Sequence, residues 1–269
     1  MIIPVVAILG TAFGAELVEA NIGENVASSI LTKSKLPPDY KVSGEVVSVI
    51  IPTYKEEFYI EDTLIAIVNQ TYEPIEVVIS DASDLDSMIA TQEITDQYCC
   101  KFVHTNVKNI SLGRNLGADG AGGKILIFLD ADCIMANDFV ERLVRGLVKP
   151  GIHLAHGADV FNPGTVFYRQ GTRMMWDAWK PLDYTTGRGV AMYATDFWEI
   201  GGYDINIDPT LPNQREDTDL GRRVAEKWGK DSIYIDREAY VSEPPRRPIS
   251  PPGLPAWRDR AWRNGEAID

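Results

Sequence analysis

Between residues 45 and 135, solidly apolar runs alternate with longer stretches in which apolar positions recur every three or four residues. The apolar runs are residues 46–51, stopped by Pro52, then 75–80 and 125–129, the last entered through Gly122-Gly123, and residues 101–104 read as a further short strand. Short runs rich in Val and Ile, without polar alternation, predict strands covered on both faces. Between the first two runs, Ile60, Leu64, Ile67 and Val68 share one face of a helix. A second helix is predicted to reach about Tyr98. Ser111 is the expected N-cap of a third, running through Leu112, Leu116 and Ala121 and closed by Gly122. Strands alternating with helices predict an α/β fold with a doubly wound, Rossmann-like, mostly parallel central sheet flanked by helices.

Beyond residue 135 the pattern weakens. Asn137 and Asp138 are expected to cap a helix ending near Pro150, and residues 153–160 and 187–192 read as strands. Trp176 and Trp179, between those strands, are assigned to the core. Gly201-Gly202-Tyr203-Asp204 reads as a turn, and Glu216-Asp217 opens a helix through Leu220, Val224 and Trp228 that Gly229 ends. A strand is expected near 232–235, and the proline-rich residues 244–255 should be extended.

At the other end, residues 2–15 are apolar but interrupted by Pro4, Gly10 and Gly14, and they run into Glu16 and Glu19. The run is too short to span a bilayer and lacks the basic leader of a signal peptide. Packing on the main domain is the expectation, with contact between residues 1–20 and a membrane surface or a partner as the alternative. Pro37-Pro38 marks a linker. The resulting organisation is an N-terminal apolar segment and linker (1–44), a catalytic domain (45–240) and a Pro/Arg-rich segment (241–269).

Composition narrows the function. The 269 residues are 45% hydrophobic and 24% charged, enough to bury a sizeable core. A net charge of −13 excludes non-specific nucleic-acid binding, because phosphate polyanions are repelled. It also means that an anionic substrate needs a local cation. Cys99, Cys100 and Cys133 have neither a disulfide framework nor zinc spacing, which points to reduced thiols in the cytoplasm.

The sharpest chemical signal is Asp130-Ala131-Asp132, directly after the run 125–129. Residues two apart at the end of a strand project to one side, so the two carboxylates can meet a single ligand. Their mutual repulsion is relieved by a hard divalent cation such as Mn²⁺ or Mg²⁺. The structural alternative is that Asp132 caps the next helix while Asp130 is solvated.

Six motifs in order then resemble the family 2 glycosyltransferases of the GT-A fold. They are Pro52-Thr53-Tyr54 with Glu56, Asp81-Ala82-Ser83, Gly113-Arg114-Asn115-Leu116-Gly117, Asp130-Ala131-Asp132, Gly201-Gly202-Tyr203-Asp204 and Glu216-Asp217-Thr218-Asp219-Leu220. The resemblance implies that Pro52, Thr53, Tyr54 and Glu56 hold the nucleoside of a nucleotide-sugar and that Asp81 accepts a hydrogen bond from its base. It implies that Arg114 approaches the base or phosphate, the alternative being a structural ion pair, and that Asn115 braces the site. Asp130 is implied to face the ribose and metal-bound water, Asp132 to ligate Mn²⁺ or Mg²⁺, and Asp217 to be the catalytic base with Glu216 in support.

The implied activity is metal-dependent, inverting transfer of a sugar from a nucleoside-diphosphate donor, uridine before guanosine, to an acceptor hydroxyl. The acceptor, a glycan, a protein or a lipid-linked sugar, should bind in the half around 161–212. A retaining transferase, a nucleotidyltransferase and a non-catalytic sugar-nucleotide-binding protein are the rival readings. One departure from the family pattern is that His104, His153 and His156 all precede Asp217, where relatives often carry a late histidine. Arg246, Arg247, Arg258, Arg260, Trp262 and Arg263 either supply a substitute cationic arm or form a basic tail that balances the acidic body.

Overall fold

The computed structural model describes residues 42–161, 185, 188–207 and 215–243. The N-terminal segment, the proline linker, Trp176 and Trp179, most of the expected acceptor half and the C-terminal arginine segment lie outside the described residues.

The three apolar runs and the segment 101–104 are parallel strands: β1 (Val42–Thr53), β2 (Tyr72–Asp81), β3 (Lys101–His104) and β4 (Ile125–Phe128). They alternate with α1 (Ile60–Val68), α2 (Leu85–Asp96) and α3 (Ile110–Asp119). Beyond them come β5 (Ile134–Met135), α4 (Phe139–Leu147), β6 (Leu154–Phe161), β7 (Val190–Tyr193), α5 (Ala194–Glu199), α6 (Glu216–Trp228) and β8 (Ile233–Glu243). The eight strands among the described residues form one sheet in the order β3-β2-β1-β4-β7-β6-β8-β5. The parallel run ends at β4, because β7 lies antiparallel beside it and β6 antiparallel beside β7. This reversal matters for the site: β7 begins at the edge where β4 ends.

Solid apolarity in β1 and β4 follows from burial on both faces. Val47, Val49, Ile51, Ile127 and Leu129 join a core with α1 and α4, while Ile50, Leu126 and Phe128 join another with Phe197 of α5 and Leu220 and Val224 of α6. Each such side chain contributes about 1.5–3 kcal/mol on burial. Gly117 lets α3 lie directly on β1, since a Cβ there would stand 2.4 Å from Cγ2 of Ile50. Among the described residues no helix is long and apolar enough to cross a membrane.

Several element ends differ from expectation. Asn109, not Ser111, caps α3: it is extended, and its side chain accepts from Leu112 N at 2.9 Å, leaving Ser111 buried in the first turn. Gly120 rather than Gly122 closes that helix. Asp138 makes no side-chain cap on α4; its carboxylate is taken by Arg142 Nε at 2.7 Å. The last strand runs on past Ile235 to Glu243, because pairing with β6 resumes after a shift between His156 and Ala158.

At the opposite edge of the sheet from the acids, Glu76 of β2 ties three segments together. Its carboxylate accepts from the Ser48 hydroxyl and the Gly122 and Gly123 amides and pairs with Lys101 at 2.8 Å. Burial raises its pKa, but Lys101, Ser48 and Gly122 outweigh burial and hold the carboxyl down to about 2. A depressed folded-state pKa stabilises the fold above the unfolded value and is lost as pH falls. Glu76 therefore supports the fold above about pH 4.5, and its contribution disappears as pH drops toward about 2. Glu76→Gln should flatten the acid limb of an unfolding-versus-pH curve in that window; an unchanged slope would show the staple to be idle.

Candidate active site

The carboxyl ends of β2, β1 and β4 and the start of β7 lie side by side along one rim of the sheet. Asp81 ends β2 and is fully buried. Its Oδ2 accepts from the hydroxyls of Thr53 and Ser83, each at 2.8 Å, and its Oδ1 accepts from Ser83 N at 2.9 Å and meets His104 Nδ1 at 3.2 Å. Both oxygens are thus engaged, and of these neighbours His104 is partly exposed.

After Thr53 and Pro52, Tyr54 is half-buried at the rim with Lys108 Nζ 3.9 Å from its ring centroid. Lys55 turns the chain with φ 58 and donates its amide to Ser83 Oγ. The Glu56 carbonyl then accepts from the amides of Tyr59 and Ile60, which starts α1.

The acidic turn after β4 is held from two sides. Leu129 N donates to the Ile50 carbonyl, and the Thr63 hydroxyl of α1 donates to the Ala131 carbonyl at 2.7 Å. Ligand atoms of Asp130, Asp132 and Cys133 lie within 4.8 Å of one another. Two converging carboxylates fit a hard cation such as Mn²⁺ or Mg²⁺. The Cys133 thiol is a soft donor, buried in the core beneath the turn with its sulfur 4.0 Å from Asp132 Oδ1.

Arg114, from α3, is 1% exposed and spans the turn and α6: Nη2 donates to Asp130 Oδ1 at 2.9 Å and Nη1 to Glu216 Oε1 at 2.6 Å. Tyr203 lies under it, ring centroid 5.0 Å from the guanidinium carbon. Burial works against the charge on Arg114, but Tyr203, Asp130 and Glu216 more than restore it and raise its pKa above the ordinary value. Burial likewise pushes the Tyr203 phenol up, keeping it neutral, though Arg114 pulls the other way. Arg114, expected to approach the nucleotide or to form a structural ion pair, makes an internal ion-pair bridge here. Asn115, next to it, braces the Gly201–Asp204 turn by donating to the Tyr203 carbonyl at 2.8 Å and accepting from its amide at 2.9 Å.

Glu216 and Asp217 occupy the first turn of α6, where exposed amides favour a carboxylate. Asp217 is 2% exposed, with Oδ1 accepting from Thr218 N at 2.6 Å and Oδ2 meeting Arg215 Nη2 at 3.1 Å. The Thr185 hydroxyl donates to its main-chain carbonyl. The bridge through Arg114 therefore brings the acidic turn and the helix that carries Asp217 together. His153 pairs with Asp196 and stacks on Trp228, while His156 is buried against the Gly157 carbonyl and burial pushes it down to about 4.

One rim residue was missed by sequence reasoning. Arg188, just before β7, holds Nε 3.4 Å from Asp130 Oδ2. The signal is the antiparallel register: Phe128 faces Val190, and two further residues along each strand set Asp130 opposite Arg188. A parallel sheet, as expected from the βα alternation, puts nothing of the kind there.

The profile described as "Glycosyl transferase family 2" matches residues 48–205. The chain belongs to this family. Family 2 relatives include an uncharacterised glycosyltransferase of Haemophilus influenzae, 29% identical over 43% of this chain and 48% of that protein. The chain thus spans about half the length of that relative. A glucosyl-dolichyl phosphate glucuronosyltransferase of Haloferax volcanii is 26% identical over 73% of this chain and 68% of its own. In three dimensions the chain resembles a mannosyltransferase from Pyrobaculum calidifontis in complex with GDP-Man and Mn²⁺, with a TM-score of 0.64 and 19% identity over 95% of this chain and 78% of that one. The shared architecture is the GT-A fold, as the family motifs imply.

Proposed function

We propose that this chain is a metal-dependent, inverting glycosyltransferase that moves a sugar from a nucleoside-diphosphate donor, uridine before guanosine, to an acceptor hydroxyl. The observation that carries this reading is the Arg114 bridge, which joins Asp130 in the acidic turn to Glu216 beside Asp217. Donor-binding acids and a candidate base thereby share one edge.

Pro52, Thr53, Tyr54 and Glu56 line the β1 end where the nucleoside lies, and Asp81 orders that end through Thr53 and Ser83. Asp132, with Asp130 beside it, would hold Mn²⁺ or Mg²⁺; when bound, the ion supplies positive charge that stabilises the departing nucleoside diphosphate. Asp217 takes the proton of the acceptor hydroxyl as its oxygen bonds to the anomeric carbon and the bond from that carbon to the diphosphate breaks. Attack from the face opposite the leaving group inverts the anomeric centre. A lipid-linked acceptor gains support from the Haloferax relative, whose name specifies glucosyl-dolichyl phosphate.

The test is thermal unfolding with a panel of nucleoside diphosphates, with and without Mn²⁺. At a ligand concentration about 100-fold above Kd, one diphosphate should raise Tm by about 5–10 °C, and only with the ion present. A shift that ignores the ion would remove metal dependence from the account, and the absence of any shift would remove the donor class. Proton NMR of the product then reads the anomeric outcome; a retained configuration sinks inversion.

A further inference from the structure

We propose that Arg188 is the cation that grips the diphosphate of the donor, at its sugar-bearing β-phosphate. This rests on the reading of the site given above. The sheet orders the rim as β2, β1, β4 and β7. Neighbouring strands are spaced about 4.8 Å apart, so β7 stands about 10 Å beyond β1. That is close to the reach from a nucleoside to its second phosphate. With the nucleoside over the end of β1 and Asp130 and Asp132 at the end of β4, the β-phosphate falls toward Arg188.

The backbone fixes Arg188 there. Gly189 has φ +76, and a Cβ on it would stand 2.3 Å from Cζ of Phe139, so the chain can make this turn only with glycine. Gly189 N donates to the Phe128 carbonyl at 2.8 Å, pinning the turn to the end of β4. Arg188 is consequently delivered to Asp130 by main-chain geometry.

Its exposure distinguishes it from the other arginine of the acidic turn. Arg114 is 1% exposed, whereas the Arg188 side chain is 19% exposed beside Asp130. The chain carries −13 overall, so a nucleoside diphosphate approaching this rim needs a cation that can face it. A guanidinium offers a planar fork suited to phosphate oxygens and stays charged throughout the working pH range. Before the donor arrives, Arg188 offsets the charge of Asp130. With the donor bound, it shares that charge with the phosphate.

The experiment compares nucleoside diphosphate and monophosphate binding to Arg188→Ala and Arg188→Lys, by calorimetry with Mn²⁺ present. Arg188→Ala should weaken the diphosphate by about 10- to 100-fold while leaving the monophosphate within about twofold of wild type. Arg188→Lys should fall between, because it keeps the charge and loses the fork; it also carries the test should the alanine variant fold poorly. Equal losses for both nucleotides would mean that Arg188 acts through Asp130 alone, and unchanged binding would remove it from the donor site; either overturns the proposal and leaves the donor reading standing. A wild-type protein that binds neither nucleotide overturns both.

Discussion

Asp217→Asn lowers kcat by about 10²- to 10⁴-fold while donor affinity stays near wild type. Asparagine is nearly isosteric, and its carbonyl oxygen can still accept from Thr218 N, which meets Asp217 at 2.6 Å. The start of α6 should therefore keep its shape. The ion pair lost to Arg215 involves a side chain that is 69% exposed, so its stability cost is below about 1 kcal/mol. What the amide cannot do is take a proton from an attacking hydroxyl. Turnover and donor binding must be measured on the same preparation, because only their divergence isolates proton transfer from misplacement. Near-normal turnover would mean that the acceptor is activated elsewhere, and the base assignment would fall.

The part of the fold that sequence makes legible is the part whose residues answer to one local rule. The central stretches of β1, β2 and β4 are covered on both faces, so each is largely apolar and stands out against the helical spacing of Ile60, Leu64 and Ile67. The acids follow from the same logic, since they lie where those runs stop. Local spacing cannot reveal strand direction. A residue pattern for β7 is the same whether it runs with β4 or against it, yet direction alone decides whether Arg188 meets Asp130.

Burial was the other hidden quantity. Arg114 sits in a motif whose sequence suggests a ligand contact, but the acids that claim it are 16 and 102 residues away. The α3 cap shows the effect on a smaller scale: Asn109 and Ser111 are both good capping residues, and backbone geometry, with Asn109 at φ −150, chose between them.

Arg114→Met should destabilise the fold by about 3–5 kcal/mol, the usual cost of removing one partner from a buried ion pair. Methionine fills much of the space left by the aliphatic stem, so the loss is chiefly electrostatic: Asp130 and Glu216, with side chains 26% and 11% exposed, lose the cation between them. Arg114→Lys separates placement from charge. A single ammonium on a flexible stem cannot reproduce two contacts at 2.9 and 2.6 Å made by opposite ends of a rigid fork. The lysine variant should keep most of the stability but let the acidic turn and α6 drift relative to one another. Rate falls steeply with misplacement of reacting groups, so kcat should drop by about 10- to 100-fold while KM for the donor changes far less. If Arg114→Lys matches wild type in kcat, or if Arg114→Met unfolds within about 1 kcal/mol of it, the bridge does not hold base and donor in register. Asp217 would then owe its position to the first turn of α6 alone.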